Sequence, residues 1–303
     1  MNQLSTHIAS RGGKLFSHIV FACAFVFALT LFSASTTSAQ SLNWEGQTGA
    51  FITPFAYTSD SPVKGIGHPN VSFHYLNAGS VIGNHFQGSI TVGIAKRLEF
   101  GYTRNGAAEG STPVFSSLFK EGFNIFHGKA NLVTENAGKN NFVPAVSVGF
   151  VARTQVKRVG GVLTNKETKN GDVYIVATKT ITQVKHLPIL INVGYKGTNA
   201  SLMGVAGNAP DWTGKLFGAG AFVVKASKGL LIFGSEFAKQ PKRIKDLPGA
   251  TLPTSLTYFV RIVPKGDVPF NIDFGVAQLA GKIAPGVDLK ARSQFAMGMS
   301  YRF

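Results

Sequence analysis

From residue 71 to Phe303 the sequence breaks into short segments in which apolar side chains recur at every second position. A repeat of two is the repeat of a β-strand, and segments of about ten residues match a strand that crosses a bilayer. The two faces differ in charge as well as in polarity. In 270–279, Phe270, Ile272, Phe274 and Val276 share one face, and Asn271, Asp273, Gly275 and Ala277 the other. In 187–197, Ile189, Ile191, Val193 and Tyr195 oppose Leu190, Asn192, Gly194 and Lys196. In 292–303, Phe295, Met297, Met299, Tyr301 and Phe303 oppose Ala296, Gly298, Ser300 and Arg302. A lipid-facing Arg or Lys costs about 2–4 kcal/mol at the bilayer midplane, so segregation of this kind is what a transmembrane barrel requires. A secreted β-sandwich also alternates, but its outer face should be rich in Lys, Glu and Thr. Here the second face is rich in Gly, Ala, Ser and Asn, small enough to line a narrow lumen.

The pattern predicts an all-β fold, an antiparallel barrel of about twelve strands over 71–303. The strands are expected at 71–79, 85–95, 98–104, 123–133, 142–153, 172–182, 187–197, 214–225, 229–240, 253–263, 270–279 and 292–303. The phase of 172–182 is set by placing Lys179 in the lumen, and 214–225 has no clean phase. Short connections at 95–97, 183–186, 226–228 and 264–269 face long ones at 105–122, 154–171, 198–213, 241–252 and 280–291. Short turns on one side and long loops on the other, with both termini on the short side, is the arrangement of bacterial outer-membrane barrels. Val114, Phe115, Leu118 and Phe119 add a helical spacing within the loop at 105–122.

The N-terminus fits that destination. Arg11 and Lys14 precede the apolar run Ile19–Phe32, and small residues lead to Thr37-Ser-Ala39. Residues 1–39 therefore read as a cleaved secretory signal. The single cysteine, Cys23, lies inside the apolar run, so the exported chain is expected to lack disulfides, thiolate metal ligands and a Cys nucleophile. Residues 40–70 carry Pro54, Pro62 and Pro69, which argue against a central strand. They are expected to fold into the lumen or to cap the periplasmic mouth, with a thirteenth strand as the alternative.

Thirty basic residues against 14 acidic ones would suit an anionic partner. The basic residues are scattered, and no nucleic-acid motif accompanies them. Outer-membrane lipid, lipopolysaccharide phosphates and anionic polysaccharide are the expected partners. Two loop clusters on the outer side carry this reading: Arg153, Lys157, Arg158, Lys166 and Lys169, and Lys239, Lys242, Arg243 and Lys245. The lumen candidates are Glu99, Lys129, Lys179, Lys196, Glu236, Arg261, Asp273 and Arg302. Buried charges need partners, so opposite signs are expected to pair across the lumen, Glu236, Arg261 and Asp273 among them. The other reading is a lined path for a polar solute. The final strand, closing on Tyr301-Arg-Phe303, matches the aromatic ending that barrel-assembly machinery reads, and Phe303 is expected to act in assembly.

No catalytic motif is present: no His-Glu-x-x-His, no Gly-x-Ser-x-Gly and no phosphate loop. The histidines beyond the signal, His68, His74, His85, His127 and His186, have no metal-ligand spacing, and no cofactor is expected. A lumen hydrolase built on His127 or His74 with a Ser and an acid is a distant alternative.

Gly46-Gln-Thr-Gly-Ala-Phe-Ile-Thr-Pro-Phe-Ala56 resembles the opening segment of the YjbH-like outer-membrane barrels, which are associated with exopolysaccharide production. Ser89–Gly101, with Glu99, is similar to that family's first strong hairpin; Val173–Lys179, Asn192–Tyr195 and the strand around Glu236 are similar in patches. This chain lacks a lipobox and is shorter than the long members. The resemblance implies a non-enzymatic barrel that supports envelope or exopolysaccharide passage. The alternative from the residues themselves is a narrow channel for small polar or hydrophobic solutes.

Overall fold

The computed structural model describes residues 41–111, 122–139, 141–156, 168–184, 187–245, 247–265, 268–280 and 292–303. The expected signal segment, the helical spacing at 114–119 and His186 lie outside the described residues.

Twelve antiparallel strands close into one barrel. They are β1 (Asn70–Asn77), β2 (Asn84–Ile94), β3 (Leu98–Ala108), β4 (Phe123–Val133), β5 (Ala145–Val156), β6 (Thr168–Ile181), β7 (Ile189–Ala200), β8 (Asn208–Ala226), β9 (Gly229–Ala238), β12 (Thr254–Pro264), β13 (Phe270–Ala280) and β14 (Gln294–Arg302). Each expected strand is present, with ends shifted by a few residues. β6 and β8 begin earlier than the alternation suggested, and β5 runs on to Val156. The connection from β9 to β12 holds a small two-stranded hairpin that alternation did not reveal, β10 (Arg243–Ile244) and β11 (Leu247–Thr251).

β1 closes the barrel against β14, with Val71 opposite Tyr301, Phe73 opposite Met299 and Tyr75 opposite Met297. This register puts apolar side chains opposite one another on the outward face. Outward positions such as Ile90, Phe100, Phe126, Ile175, Val193 and Tyr258 are exposed around the wall. A belt of large exposed apolar residues on every side is unstable in water and stable against lipid. No described helix is long and apolar enough to cross a membrane. The fold is a transmembrane β-barrel.

Closure is completed at the C-terminus. The Phe303 N–H donates to the Pro69 carbonyl (3.1 Å), and the Arg302 N–H donates to that of Pro269 (2.9 Å). The Tyr301 ring meets Phe303 edge to face at 5.1 Å and is nearly covered, whereas Phe303 stays exposed on the rim. Deleting Phe303 is expected to lower the amount of assembled barrel in membranes, read as heat-modifiable protein per cell. Unchanged levels would count against an assembly role.

Candidate functional site

The interior is occupied by the chain's own N-terminal segment. Residues 41–61 run inside the wall and are almost wholly buried, including Trp44, Phe51, Ile52 and Phe55. An irregular peptide in a lumen brings many unpaired backbone groups, each costly to bury without a partner. Two isolated bridges within the segment, Leu42 with Thr48 and Gly49 with Pro54, satisfy some of them. The wall satisfies others, and it does so with its charged residues.

Glu236 is the clearest case. Its carboxylate accepts the backbone N–H groups of Phe51 (2.9 Å), Ile52 (2.7 Å) and Thr53 (2.8 Å), and the Thr53 hydroxyl (2.8 Å). Glu99 accepts from the Thr48 N–H (3.1 Å), the Thr48 hydroxyl (2.5 Å) and the Ser59 N–H (2.6 Å). The Lys129 ammonium lies 3.1 Å from Glu99 and donates to the carbonyls of Thr48 (3.0 Å) and Phe55 (3.1 Å). Arg261 pairs with Asp273 through Nε (2.7 Å) and Nη2 (3.0 Å). Its Nη2 also reaches the Gly49 and Ala50 carbonyls (3.1 and 3.2 Å), while the Ser41 hydroxyl donates to Asp273 (3.0 Å). Arg302 donates to Asp60 at 2.8 Å. Glu236 and Glu99 take N–H groups of the segment, and Lys129 and Arg261 take its carbonyls, so these buried charges have the complement they need.

A fifth grouping was not legible as a unit. Arg153 is fully buried and bridges Glu45 of the plug, at 2.5 Å, to Asp172 on β6, at 2.9 Å; Lys196 stands 3.3 Å from the same Asp172. This corrects the placement of Arg153 in an outer loop. β5 continues past it through an irregularity at Gln155, whose φ is +59°, and keeps Arg153 on the lumen face. Lys179 is corrected as well. It shares the outward parity of Val173 and Ile175, and binds Glu135 (3.2 Å) and Asn136 (2.5 Å) near the short-turn end. The lumen-facing members of β6 are Asp172, Tyr174, Val176 and Thr178, all buried. Near a barrel rim a lysine can reach partners in a turn, so its charge did not fix the phase. Glu236, too, departs from expectation: it binds the plug and not Arg261.

Of the outer basic clusters, Lys169, Lys239, Lys242, Arg243 and Lys245 are exposed, the last three on or beside the β10–β11 hairpin. Lys157, Arg158 and Lys166 lie outside the described residues.

The lumen is also more apolar than its strands suggested. Phe123, Ile125, Val151, Val176, Phe217 and Phe259 point inward and form one cluster with Trp44, Phe51, Ile52 and Phe55. Phe217 explains why β8 showed no clean phase. Its ring packs on Tyr174 (6.3 Å) in the space left by Gly194, where a Cβ would strike it. Gly46 is needed for a second reason: its φ of +87° is one that side chains disfavour, and a Cβ would meet the Thr103 hydroxyl. The Tyr174 hydroxyl accepts from Gln47 (2.7 Å), and Asn192 donates to the Pro54 carbonyl (3.1 Å). Burial pushes the Tyr57 phenol up, and the Glu135 carboxylate that accepts its proton adds to the shift. Burial raises the Glu45 carboxyl against the lowering effect of Arg153.

Among the described residues, His127 and His74 are enclosed rather than placed at an accessible reaction centre. His127 Nε2 is 3.2 Å from the Thr91 hydroxyl and its Nδ1 is 4.0 Å from Glu99. That hydroxyl donates to the Gly46 carbonyl (2.6 Å), and all three side chains are buried under the plug. His74 is enclosed by the Trp44 and Phe51 rings, at 6.1 and 5.5 Å. No cluster of metal-ligating side chains occurs among the described residues.

Arg261→Leu tests what this network does. It leaves the Asp273 carboxylate with the Ser41 hydroxyl but without its counter-ion, and takes a donor from two plug carbonyls; removing one member of a buried pair costs roughly 3–5 kcal/mol. The variant is expected to lose its heat-modifiable form at lower temperature and to expose residues 49–50 to amide exchange. Unchanged unfolding with a changed resting conductance would mean that Arg261 lines an open path.

Fold and interior together define a class: a twelve-stranded transmembrane barrel closed by its own N-terminal segment. Within that class the chain belongs to a family described as "Protein of unknown function (DUF3034)", whose model matches residues 37–262. This match does not confirm the YjbH-like label that the opening segment suggests. None of the curated proteins matches the chain. Among solved structures it is similar to the KdgM porin, at 10% identity and a TM-score of 0.45, covering 77% of this chain and 99% of that one. It is also similar to the COG4313 outer membrane channel from Pseudomonas putida F1, at 10% identity and a TM-score of 0.43, covering 82% and 98%. A Pseudomonas aeruginosa FadL homologue matches at 8% identity and a TM-score of 0.38, covering 88% and 96%.

Proposed function

We propose that this protein is a bacterial outer-membrane barrel without catalytic activity, a passive passage whose resting state is held shut by residues 41–61. The observation that carries this reading is the clasp of Glu236 on three successive plug N–H groups, repeated in other forms at Glu99, Lys129 and Arg261. A wall that only had to be stable could fill its lumen with side chains, as barrels of about eight strands do. A twelve-stranded wall is wider, and here the filling is a peptide that lies inside the wall and continues into β1 through residues 62–69. Such a peptide can be withdrawn, whereas wall side chains cannot.

Export by the signal at 1–39 and insertion by the barrel-assembly machinery belong to the same proposal. So do contacts of Lys239, Lys242, Arg243 and Lys245 with lipopolysaccharide phosphates or an anionic polysaccharide. A part in exopolysaccharide passage is supported by the resemblance of the opening segment and of the hairpin around Glu99. The intact protein is expected to fractionate with the outer membrane, to migrate faster on gels when unboiled, and to give no steady conductance in planar bilayers. Recovery from the soluble periplasm, or a stable open channel from intact protein, overturns the proposal.

A further inference from the structure

We infer that the plug forms the floor of a binding site for a small, uncharged, apolar molecule at the long-loop end of the lumen. This deepens the passage reading by naming a solute class. A cavity of about 90 Å³ lies there above Trp44, Phe51 and Ile52. Its other walls include Leu76 and Ile82 around the β1–β2 connection, Leu202 and Met203 in the β7–β8 turn, and Leu279 of β13. No Lys, Arg, Asp or Glu lines it; the polar lining is His85, Ser255, Thr257, Gln278 and Gln294, and Met203 separates it from the charged cluster of Glu45, Asp172 and Lys196. A charged solute would meet no Lys, Arg, Asp or Glu in this chamber, and desolvation would disfavour it there.

Three features argue for an occupant. An empty apolar cavity forfeits the dispersion contacts of its lining, and close-packed interiors normally leave few such voids. Ala78 and Ala277 line this one, where larger side chains would have filled it. The turn above it is also held in an unfavourable backbone conformation. Leu202 and Met203, neither of them glycine, take φ values of +49° and +54° in succession. Paired left-handed residues of this kind persist only where the surroundings demand them. Here they belong to the turn that brings two flexible apolar side chains to the cavity.

An engineered apolar cavity of about 150 Å³ takes up benzene, so 90 Å³ suits a short alkyl chain or the arm of a larger hydrocarbon, with Met203 able to adjust. The floor of the site is the plug itself. A bound molecule therefore touches Trp44, Phe51 and Ile52, the residues that would move if the plug were withdrawn.

The experiment uses the exported chain in lipid vesicles and the emission of Trp44. The sequence has two tryptophans, and Trp212 is exposed on the wall, so Trp212→Phe isolates the signal. Bromopropane, a neutral heavy-atom quencher, is titrated beside bromopropionate, which carries a carboxylate on a chain of similar size. Saturable quenching by bromopropane, with at least about tenfold weaker quenching by bromopropionate, is the expected result. Ala277→Phe should fill the cavity and abolish the saturable part. If that variant does not assemble, Leu202→Phe serves the same purpose. Quenching that rises linearly and is unchanged by either filling variant reports partition into lipid and overturns the site, as does equal quenching by the anion. The readout needs no conductance, so a silent protein that binds bromopropane and a conducting one that does not are separate outcomes.

Discussion

Removing residues 41–61 is expected to turn a silent barrel into a conducting one. The wall closes through its own ladders, with β1 joined to β14 over seven register pairs, and none of that pairing uses the plug. What the deletion removes is the filling, including the apolar cluster of Trp44, Phe51, Ile52 and Phe55. Water then replaces the plug as partner of Glu236, Glu99 and Lys129, while Arg261 and Asp273 keep each other. Barrels of about eight strands are filled by side chains and those of sixteen to eighteen leave an aqueous channel, so twelve strands without the plug should leave a narrow pore. The deletion also takes away two carboxylates, Glu45 and Asp60, whose partners Arg153 and Arg302 stay on the wall. The freed lumen then holds Lys129, Arg153, Lys196, Arg261 and Arg302 against Glu99, Asp172, Glu236 and Asp273. Discrete conductance steps with a preference for anions are expected in planar bilayers, against none for the intact protein. Heat-modifiable migration shows first that the deleted form has closed. A closed barrel that remains silent would falsify the plug as the barrier.

The wall could be read from the sequence because lipid imposes a rule on every strand. An outward position must be apolar, so alternation survives in β2, β7, β13 and β14 whatever lies inside. The rule weakens at the rims and wherever the lumen is itself apolar. Lys179 misled at a rim, because Glu135 and Asn136 in the neighbouring turn supply its partners. Phe217 blurs the phase of its strand because it packs in one cluster with the plug, whose presence inside the wall no wall sequence announces. The lumen charges could be named, since a charge on a membrane strand has few places to go. Their partners could not. Glu236 binds the N–H groups of Phe51, Ile52 and Thr53, and a backbone N–H leaves no signature in residue type. A strand that ends at 153 puts Arg153 at the outer rim, whereas the irregularity between Arg153 and Val156 carries β5 three residues further and keeps Arg153 in the lumen.

Glu236→Ala should release the plug without dismantling the wall. The side chain accepts three backbone N–H groups and one hydroxyl from residues 51–53, and its own strand is held by ladders to β8 and β12 that the substitution leaves alone. Each donor orphaned in a dry interior costs on the order of 1–3 kcal/mol. The plug can avoid that cost only by moving to where water reaches it. A loss of 1.4 kcal/mol is a factor of ten in an equilibrium, so amide exchange at Phe51, Ile52 and Thr53 should accelerate at least about tenfold. Exchange in β8, β9 and β12 should stay slow. Glu236→Gln keeps one acceptor oxygen but turns an N–H₂ group toward the same donors, so its effect should be intermediate. If the plug is the barrier, brief conductance steps should appear in the alanine variant, less often in the glutamine variant, and with the anion preference of the deleted form. Protection of residues 51–53 that survives Glu236→Ala would show that the apolar cluster alone seats the plug. The clasp would then be an accommodation of a buried carboxylate, and the hold on the passage would lie with Trp44, Phe51 and Phe55.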